Sequence, residues 1–374
     1  MNAPPQGELA RSDFFRRRRI LAPMTVGSNL PFRRLCQELG CEMTVSEMAL
    51  ANKVVKRSRR ELALLRRHPE EKCFGVQLCG VIPDAFAKAA IEAVELGADF
   101  IDVNLGCPID VVTKKGGGAA LMNRPKRVGE IVAALRSTVD VPISIKVRTG
   151  WRDDKPTAIP VAQAAVDNGV DAVIVHGRSR AQRYRRPADW DFVGEVRAAV
   201  AVPVIGNGDI SGPTGFKERL ERSGCESVMI ARAALVKPWI FAELDEPCER
   251  DLSSKERWSI LERYVTLALE HFGDDEHGRT RVRRFLIWHL DFFHRWIPPT
   301  VSQEEYAIQE RQDAFEPRDA LEELLARPDD NAHESIADRL MGLEDVDAPL
   351  PTVGDAPGRE SSAAALERQS SGWG

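Results

Sequence analysis

The chain has 374 residues, 43% of them hydrophobic and 29% charged, which is enough to bury one large domain and a smaller one. It contains no run of eighteen apolar residues, and too few apolar residues follow the arginines at 16–19 for a signal peptide. The seven cysteines include no Cys-x-x-Cys pair, which argues against a disulfide framework or a zinc ribbon. We therefore expect a cytoplasmic protein with reduced thiols, no metal site, no membrane association and no obligate protein partner.

The charge is unevenly distributed along the chain. The net charge is −5, but residues 1–300 carry +7 and the remainder carries the compensating acidic excess. A basic body suits a polyanionic partner such as a nucleic acid. The alternative is that the excess arginine and lysine only solvate the surface.

Short β-rich apolar segments alternate with helical-period segments through the first 231 residues. The predicted strands are residues 20–22, 43–45, 74–78, 100–105, 143–147, 172–176, 204–206 and 228–231. The predicted helices between them include residues 83–95, 127–138, 157–168, 192–199 and 215–222. Eight such units predict an α/β fold, a (β/α)8 TIM barrel. A doubly wound sheet is the alternative, and the Gly-rich fingerprint that it needs after the first strand is missing.

After residue 241 the pattern becomes all-helical, which predicts a second domain. Its helices are predicted at residues 253–272, 280–296, 317–326 and 335–343. From about residue 346 the composition is rich in Pro, Gly, Ser and Ala, which is typical of disorder. The predicted organisation is therefore a flexible segment 1–17, a barrel over 18–245, a C-terminal helical domain over 246–345 and a disordered tail over 346–374.

Polar or Gly-containing segments follow the predicted strands. In a TIM barrel the carboxyl ends of all strands meet at one mouth, where catalytic residues lie. A lone polar residue at a strand end often only caps a loop, but eight such ends favour a functional site. The residues that we assign to this mouth are Pro23, Met24, Thr25, Glu47, Met48, Gln77, Asn104, Cys107, Lys146, Arg148, His176, Arg178, Asn207, Gly208, Asp209, Ala231 and Arg232.

The last two strand ends predict a phosphate site. Residues 206–209 form a Gly-rich turn after the seventh strand, and Ala231 and Arg232 follow the eighth. Free backbone amides, a helix start and an arginine together favour a phosphate monoester such as that of FMN.

Three further polar residues suit the flavin ring. Gln77 and His176 can hydrogen-bond the edge of an isoalloxazine, and Lys146 can place positive charge near the N1 and O2 atoms of the ring. The full set predicted to bind FMN is Pro23, Met24, Thr25, Gln77, Lys146, His176, Asn207, Gly208, Asp209, Ala231 and Arg232.

An ordered set of motifs carries a family resemblance over about residues 18–300. The segment 104–108 reads NLGCP and the segment 114–122 reads KKGGGAALM. With them come APM at 22–24, GVQLCG at 75–80, IKVRTGW at 145–151, HGRSRAQRY at 176–184, ADW at 188–190, GNGDI at 206–210 and IARAAL at 230–235. The chain thereby resembles the tRNA-dihydrouridine synthases. Segments 28–34, 106–115 and 281–285 are most similar to the eukaryotic-type branch that acts on the variable-loop uridine at position 47. Eukaryotic members of that branch carry zinc fingers upstream, and the sequence in hand contains no such segment.

The resemblance implies a flavin-dependent reduction of uridine to 5,6-dihydrouridine in tRNA. NADPH, or NADH, would reduce FMN, a hydride would reach C6 of a flipped-out uracil, and Cys107 would protonate C5. An ordinary thiol pKa leaves a cysteine mainly protonated near neutral pH, so it can act as a general acid. The alternative for Cys107 is a buried small side chain. Cys79 has no matching role in the family and is predicted to lie in the core.

Contacts with tRNA require positive charge. Near the pocket we predict Asn104, Lys115, Arg178 and Arg180 as substrate-binding residues. The candidates on the helical domain are Arg279, Arg281, Arg283, Arg284 and Arg295, of which at least half can instead solvate helix faces or pair with local carboxylates.

Two other functions compete with this interpretation. One is a different FMN-dependent barrel reductase that acts on a small molecule, such as a dihydroorotate dehydrogenase or an old-yellow-enzyme relative. The other is a non-catalytic tRNA-binding protein. The helical extension and the Cys107 turn favour a tRNA-reducing enzyme over the first, and flavin absorbance separates it from the second.

Overall fold

A computed structural model describes residues 11–299, 315–346 and 348–353. They form two compact units. The first contains the described residues up to Met24, together with Cys41–Ile210 and Thr214–Ala231. The second contains Thr25–Gly40, Ser211–Pro213 and the described residues from Arg232 onward. No helix among the described residues is long and apolar enough to cross a membrane.

The first unit is a closed barrel of eight parallel strands. They are Arg19–Leu21 (β1), Met43–Val45 (β2), Phe74–Cys79 (β3), Phe100–Leu105 (β4), Ile143–Arg148 (β5), Ala172–His176 (β6), Val204–Asn207 (β7) and Ser227–Ile230 (β8). Each strand pairs with the next along the chain, and β8 pairs with β1. The predicted TIM barrel is therefore confirmed.

Helices follow most of the strands, as predicted. Those whose residues fall mainly in the first unit are Ala51–Val55, Arg59–Leu64, Pro83–Glu95, Asp110–Thr113, Pro125–Arg136, Ala158–Val166, Trp190–Ala199 and Pro213–Ser223. A 3-10 helix, Gly118–Asn123, follows the turn after β4. The described part of the chain also contains short strands outside the barrel: Ala49–Leu50, Gly150–Arg152 and Lys155–Pro156.

The amino-terminal end of the barrel is filled by aromatic rings. Phe14, Phe15 and Phe100 make edge contacts with ring centroids 5.1 to 5.8 Å apart. Gly75 on β3 makes room for the Phe100 ring, since a Cβ there would lie only 2.2 Å from it. Phe15 falls within the segment 1–17 that we predicted to be flexible, yet it is fully buried in this cluster. These rings exclude water from the amino-terminal end of the barrel. A polar site inside the barrel is therefore expected at the carboxyl end.

The first unit ends at Ala231, directly after the last barrel strand, which ends at Ile230. The domain boundary at residue 245 stays a prediction. Residues 1–10 and 354–374, where the predicted flexible segment begins and the predicted tail ends, lie outside the described residues.

The second unit is helical, as predicted. Its helices are Leu30–Glu38, Arg232–Val236, Ile240–Glu243, Ser254–Phe272, Glu276–Phe293, Ala320–Ala326 and Asp330–Leu340. The helix predicted at 280–296 begins earlier, because the Asp275 side chain caps it by accepting the Gly278 N–H at 2.8 Å. Ser253 and Glu256 form a reciprocal capping box at the start of Ser254–Phe272.

A buried ion pair crosses the second unit. Arg257 and Glu322 are 1% and 0% exposed, and the guanidinium donates to the Glu322 carboxylate at 2.6 Å. The Arg257 guanidinium also lies 4.0 Å from the centre of the Trp296 ring. Burial lowers the pKa of Arg257 to about 10, although Glu322 raises it. Arg318 also binds the Glu322 carboxylate, and its NH2 group donates to Oε1 at 2.7 Å.

We expect Glu322→Ala to destabilise the protein by about 3 to 5 kcal/mol, because it leaves the Arg257 charge buried without its partner. Urea unfolding followed by circular dichroism measures the change. The control is Glu38→Ala, which breaks an exposed pair with Arg263 and should cost less than about 1 kcal/mol. Equal losses of stability in the two variants would contradict the assignment.

Candidate active site

Polar side chains from neighbouring strands, and from strands separated by one other, meet inside the barrel. Gln77 of β3 donates through Nε2 to Asp102 Oδ2 of β4 at 2.7 Å, and Ser144 of β5 donates to Asp102 Oδ1 at 2.7 Å. Lys146 of β5 donates to Asn207 Oδ1 of β7 at 3.0 Å, across the intervening strand β6. A contact between strands that are not adjacent requires both side chains to point inward. These residues therefore line the carboxyl half of the barrel interior.

The Lys146 ammonium is the cation at the centre of this group. Desolvation and the nearby Arg148 lower the pKa of Lys146 to about 8, while Asp102 and Cys107 oppose the shift. Asn207 is itself fixed, because its Nδ2 donates to the Met229 carbonyl at 2.7 Å. Among the described residues, Asn207 is the hydrogen-bond acceptor of Lys146, which leaves further N–H donors of the ammonium for an anionic group.

Asp102 is the matching anion and is fully buried. Burial raises the pKa of Asp102 to about 6, and the hydrogen bonds from Gln77 and Ser144 and the charge of Lys146 oppose that rise. Both of its oxygens accept hydrogen bonds, from Gln77 and from Ser144, which is the arrangement that suits an ionised carboxylate.

Cys107 sits on the turn that follows β4. Asn104 Oδ1 accepts the backbone N–H of Cys107 at 2.9 Å and that of Gly106 at 3.2 Å. The Cys107 carbonyl accepts the Ala119 N–H at 3.0 Å, which ties the turn to the Gly-rich loop. Gly118 is required there, because its φ is +55° and a Cβ would lie 2.7 Å from the Cys107 carbonyl oxygen.

The Cys107 thiol holds its proton at neutral pH. Burial raises the pKa of Cys107, and the positive charges of Arg148 and Lys146 lower it by less. The side chain is only partly buried, whereas that of Cys79 is fully buried. Cys107 is thus a thiol of raised pKa on a partly buried residue at the carboxyl end of β4.

A second polar cluster lies on the loops after β6 and β7. The fully buried Arg178 pairs with Asp209 Oδ2 at 2.6 Å and lies 3.4 Å from His176 Nε2. Asp209 also accepts the Ala188 N–H at 2.7 Å. The Gly208 φ is +130°, and a Cβ at Gly208 would lie 2.6 Å from that of Ala188. These contacts place the His176 imidazole beside the Tyr184 ring, with centroids 6.1 Å apart.

Arg148 hydrogen-bonds to two of the loops at the carboxyl end of the barrel. Its Nε donates to the Gly106 carbonyl at 2.9 Å and its NH1 to the Ser179 carbonyl at 3.0 Å. Its guanidinium lies 5.8 Å from the centre of the Tyr184 ring. Arg148 therefore links the Cys107 turn to the loop that follows His176.

A basic cavity of about 520 Å³ adjoins the loop after Cys107. The residues lining it are Thr113, Lys114, Lys115, Gly116, Ala120, Asn123, Arg124 and Trp151. Arg180 stacks on Trp151, with its guanidinium 4.6 Å from the ring centre, and pairs with Asp110 at 3.2 Å. Three cations and one aromatic ring thus surround a solvent-accessible recess.

The structure brings most of the predicted mouth residues together. Gln77, Asn104, Cys107, Lys146, His176, Arg178, Asn207, Gly208 and Asp209 each take part in the contacts above. Pro23, Met24 and Ala231 lie just after β1 and β8, and Met24 and Ala231 pack on the barrel core. Thr25 and Arg232 belong to the second unit.

The sequence pattern did not predict Asp102, Ser144 or Tyr184 as site residues. Asp102 and Ser144 lie in the interior of strands, and not at the strand ends where barrel chemistry is expected. One feature of the sequence could have indicated Asp102. It is a charged residue on the same face as Phe100 and Asn104, in a strand that is otherwise mostly apolar. Tyr184 had no signal beyond its place in a basic loop.

Several helical-unit arginines predicted to contact tRNA make contacts within the protein. Arg279 pairs with Asp274 at 2.6 Å, and Arg283 pairs with Asp338 at 2.6 Å. Arg281 and Arg295 lie over the rings of Phe272 and Phe292, at 5.9 and 5.4 Å. The carboxylate pairing that we weighed as an alternative thus holds for Arg279 and Arg283.

Comparison with known proteins identifies the family. The family model for dihydrouridine synthase (Dus) matches residues 20–324. A Cryptococcus neoformans protein named tRNA-dihydrouridine(47) synthase, NAD(P)(+), is 42% identical over 87% of this chain and 48% of its own. A human protein with the same name and the suffix "-like" is 42% identical over 86% of this chain and 50% of its own. The chain spans about half the length of the curated relatives it matches.

The fold has solved counterparts as well. The structure of histamine dehydrogenase from Rhizobium sp. 4-9 superposes with a TM-score of 0.50 and 13% identity, over 67% of this chain and 49% of that one. At that identity the likeness concerns the fold alone. The family match instead covers most of the sequence and includes the whole barrel sheet except Arg19, the first residue of β1. The resemblance seen in the motifs is thereby confirmed, and the chain belongs to the dihydrouridine synthase family.

Proposed function

We propose that this chain reduces a uracil of tRNA to 5,6-dihydrouracil, with FMN as cofactor and NADPH or NADH as the source of electrons. The names of its relatives support tRNA as substrate, position 47 as the modified site and NAD(P)(+) as coenzyme. The observation that carries the proposal is the Cys107 thiol of raised pKa on a turn beside Lys146 and Asn104.

The donor set at the mouth suits a flavin. The Lys146 ammonium has N–H groups to spare in a partly buried position, and a reduced flavin is anionic. Gln77, His176 and Asn207 offer hydrogen-bonding groups around it. The remaining predicted contacts within the first unit are Pro23, Met24, Gly208, Asp209 and Ala231. When bound, FMN supplies the hydride that adds to C6 of the uracil.

Cys107 would then complete the reduction. Hydride addition at C6 leaves C5 basic, and a proton must be delivered to it from one face. A thiol whose pKa is raised by burial keeps its proton until that moment and can act as general acid. Lys146 and Arg148 favour the thiolate that results, because both place positive charge near the sulfur.

RNA would reach this site with the target nucleotide extruded from its stack. The basic cavity beside the Cys107 loop offers Lys114, Lys115 and Arg124 to neighbouring phosphates, and Trp151 with Arg180 forms a stacked pair at its edge. Arg178 is fully buried against Asp209, so we assign it a supporting role behind the mouth and not a direct phosphate contact.

Cys107→Ala should bind FMN and be reduced by NADPH as the unchanged protein is, yet lose about 10²- to 10⁴-fold in dihydrouridine formation. Flavin reduction followed by absorbance and tRNA reduction followed by mass spectrometry separate the two half-reactions. Cys248→Ala, an exposed cysteine, is the control. Should Cys107→Ala reduce tRNA at the unchanged rate, the donor lies elsewhere, and Lys115 is the next residue to test.

FMN affinity should fall as pH rises through about 8, because Lys146 then loses the charge that attracts an anionic ligand. Lys146→Met should bind FMN roughly 10- to 100-fold more weakly at pH 7, since a charge-assisted hydrogen bond contributes about 1.5 to 3 kcal/mol. It should also lose this pH dependence. Flavin fluorescence titrations measure both effects, with the exposed Lys155→Met as control. A pH-independent affinity of the unchanged protein would contradict the role given to Lys146.

Lys115→Glu combined with Arg124→Glu should weaken tRNA binding. It should also lower the magnitude of the salt slope by about one for each phosphate that the protein no longer neutralises. Filter binding of unmodified tRNA over a range of salt concentrations measures both. Lys72→Glu is the control, because this exposed lysine precedes β3 and so lies at the other end of the barrel. Equal effects of the two charge reversals would remove the cavity from the RNA interface.

A further inference from the structure

A chain of three hydrogen bonds connects the centre of the barrel to the backbone of Cys107. Gln77 Nε2 donates to Asp102 Oδ2 at 2.7 Å, and Asn104 Nδ2 donates to Gln77 Oε1 at 2.7 Å. The Cys107 N–H then donates to Asn104 Oδ1 at 2.9 Å. The three linking side chains are buried, with at most 8% exposed, so water does not substitute for a missing partner.

The two ends of the chain determine its direction. An ionised carboxylate only accepts hydrogen bonds, and a backbone N–H only donates. Gln77 must therefore turn its NH2 group to Asp102, which leaves its oxygen for the Asn104 NH2 group. Asn104 must in turn face Cys107 with its oxygen. A flip of either amide would set two donors or two acceptors against each other in a buried place.

We propose that Asp102 is a positioning residue that, acting through Gln77 and Asn104, holds the turn presenting the Cys107 thiol. Asn104 Oδ1 also accepts the Gly106 N–H at 3.2 Å, so the direction of one amide orders two consecutive peptide groups. The effect of Asp102 on the reaction rests on the proposed function of Cys107. Its effect on the conformation of the turn is independent of that function.

Three variants separate this role from mere packing. Asp102→Ala removes the acceptor that orients Gln77. Asp102→Asn can retain that acceptor. The amide oxygen of the new side chain can face the Gln77 NH2 group, and its NH2 group can face the Ser144 hydroxyl, because a hydroxyl can accept a hydrogen bond. Ser144→Ala is the matched control, since it removes the other hydrogen bond of the same carboxylate, at 2.7 Å, and leaves the chain to Cys107 intact.

Hydrogen exchange of the full chain, read by mass spectrometry on peptides covering residues 104–109, reports the turn directly. We expect Asp102→Ala to raise exchange at the Gly106 and Cys107 amides about tenfold or more, with the helix Ala158–Val166 unchanged. Asp102→Asn and Ser144→Ala should stay close to the unchanged protein. Dihydrouridine formation should fall roughly 10- to 100-fold in Asp102→Ala and recover in Asp102→Asn.

Unaltered exchange at the two amides in Asp102→Ala, or an equal increase in Ser144→Ala, would overturn the proposal. If Asp102→Ala does not fold, Gln77→Met breaks the next link at similar volume and must raise exchange at the same amides. If the unchanged protein forms no dihydrouridine, the proposed function fails, and the exchange comparison still decides whether Asp102 holds the turn.

Discussion

The structure of this site depends on one constraint: polar groups enclosed by a barrel must satisfy one another. Phe14, Phe15 and Phe100 fill the amino-terminal end of the barrel interior. The polar side chains in the carboxyl half therefore find no hydrogen-bond partner on that side. Asp102 accepts from Gln77 and Ser144, and Lys146 donates to Asn207. Because a flip of the Gln77 or the Asn104 amide would set two donors or two acceptors against each other, both side chains are held in one orientation before any ligand arrives.

The same burial acts in opposite directions on two key groups. It lowers the pKa of the Lys146 ammonium and raises the pKa of the Cys107 thiol. The first shift makes the ammonium give up its proton more easily, and the second makes the thiol hold its proton more tightly although Arg148 and Lys146 oppose that shift. In the proposed reaction Lys146 balances negative charge and Cys107 supplies a proton, and both roles follow from desolvation in one small volume.

The fold could be predicted because apolar strands and amphipathic helices alternate at a regular spacing, and the site because barrel chemistry gathers at the carboxyl ends of strands. The sequence pattern does not reveal which side chains interact with each other. Arg178 reads in the sequence as an available charge, and the structure buries it against Asp209. Asp102 and Ser144 lie in the strand interiors, where the register of three neighbouring strands sets Gln77, Asp102 and Ser144 side by side. The helix start at Asp275 differs from prediction for a similar reason, since the cap depends on a local side-chain contact.

The most direct measurement of the central claim uses the full chain, FMN, NADPH and unmodified tRNA, with the product digested and its fragments weighed. We predict a gain of two hydrogens on one uridine of the variable loop, and the gain should require both the flavin and the reductant. A flavin-loaded protein that oxidises NADPH yet leaves every tRNA fragment at its original mass would contradict the proposed activity.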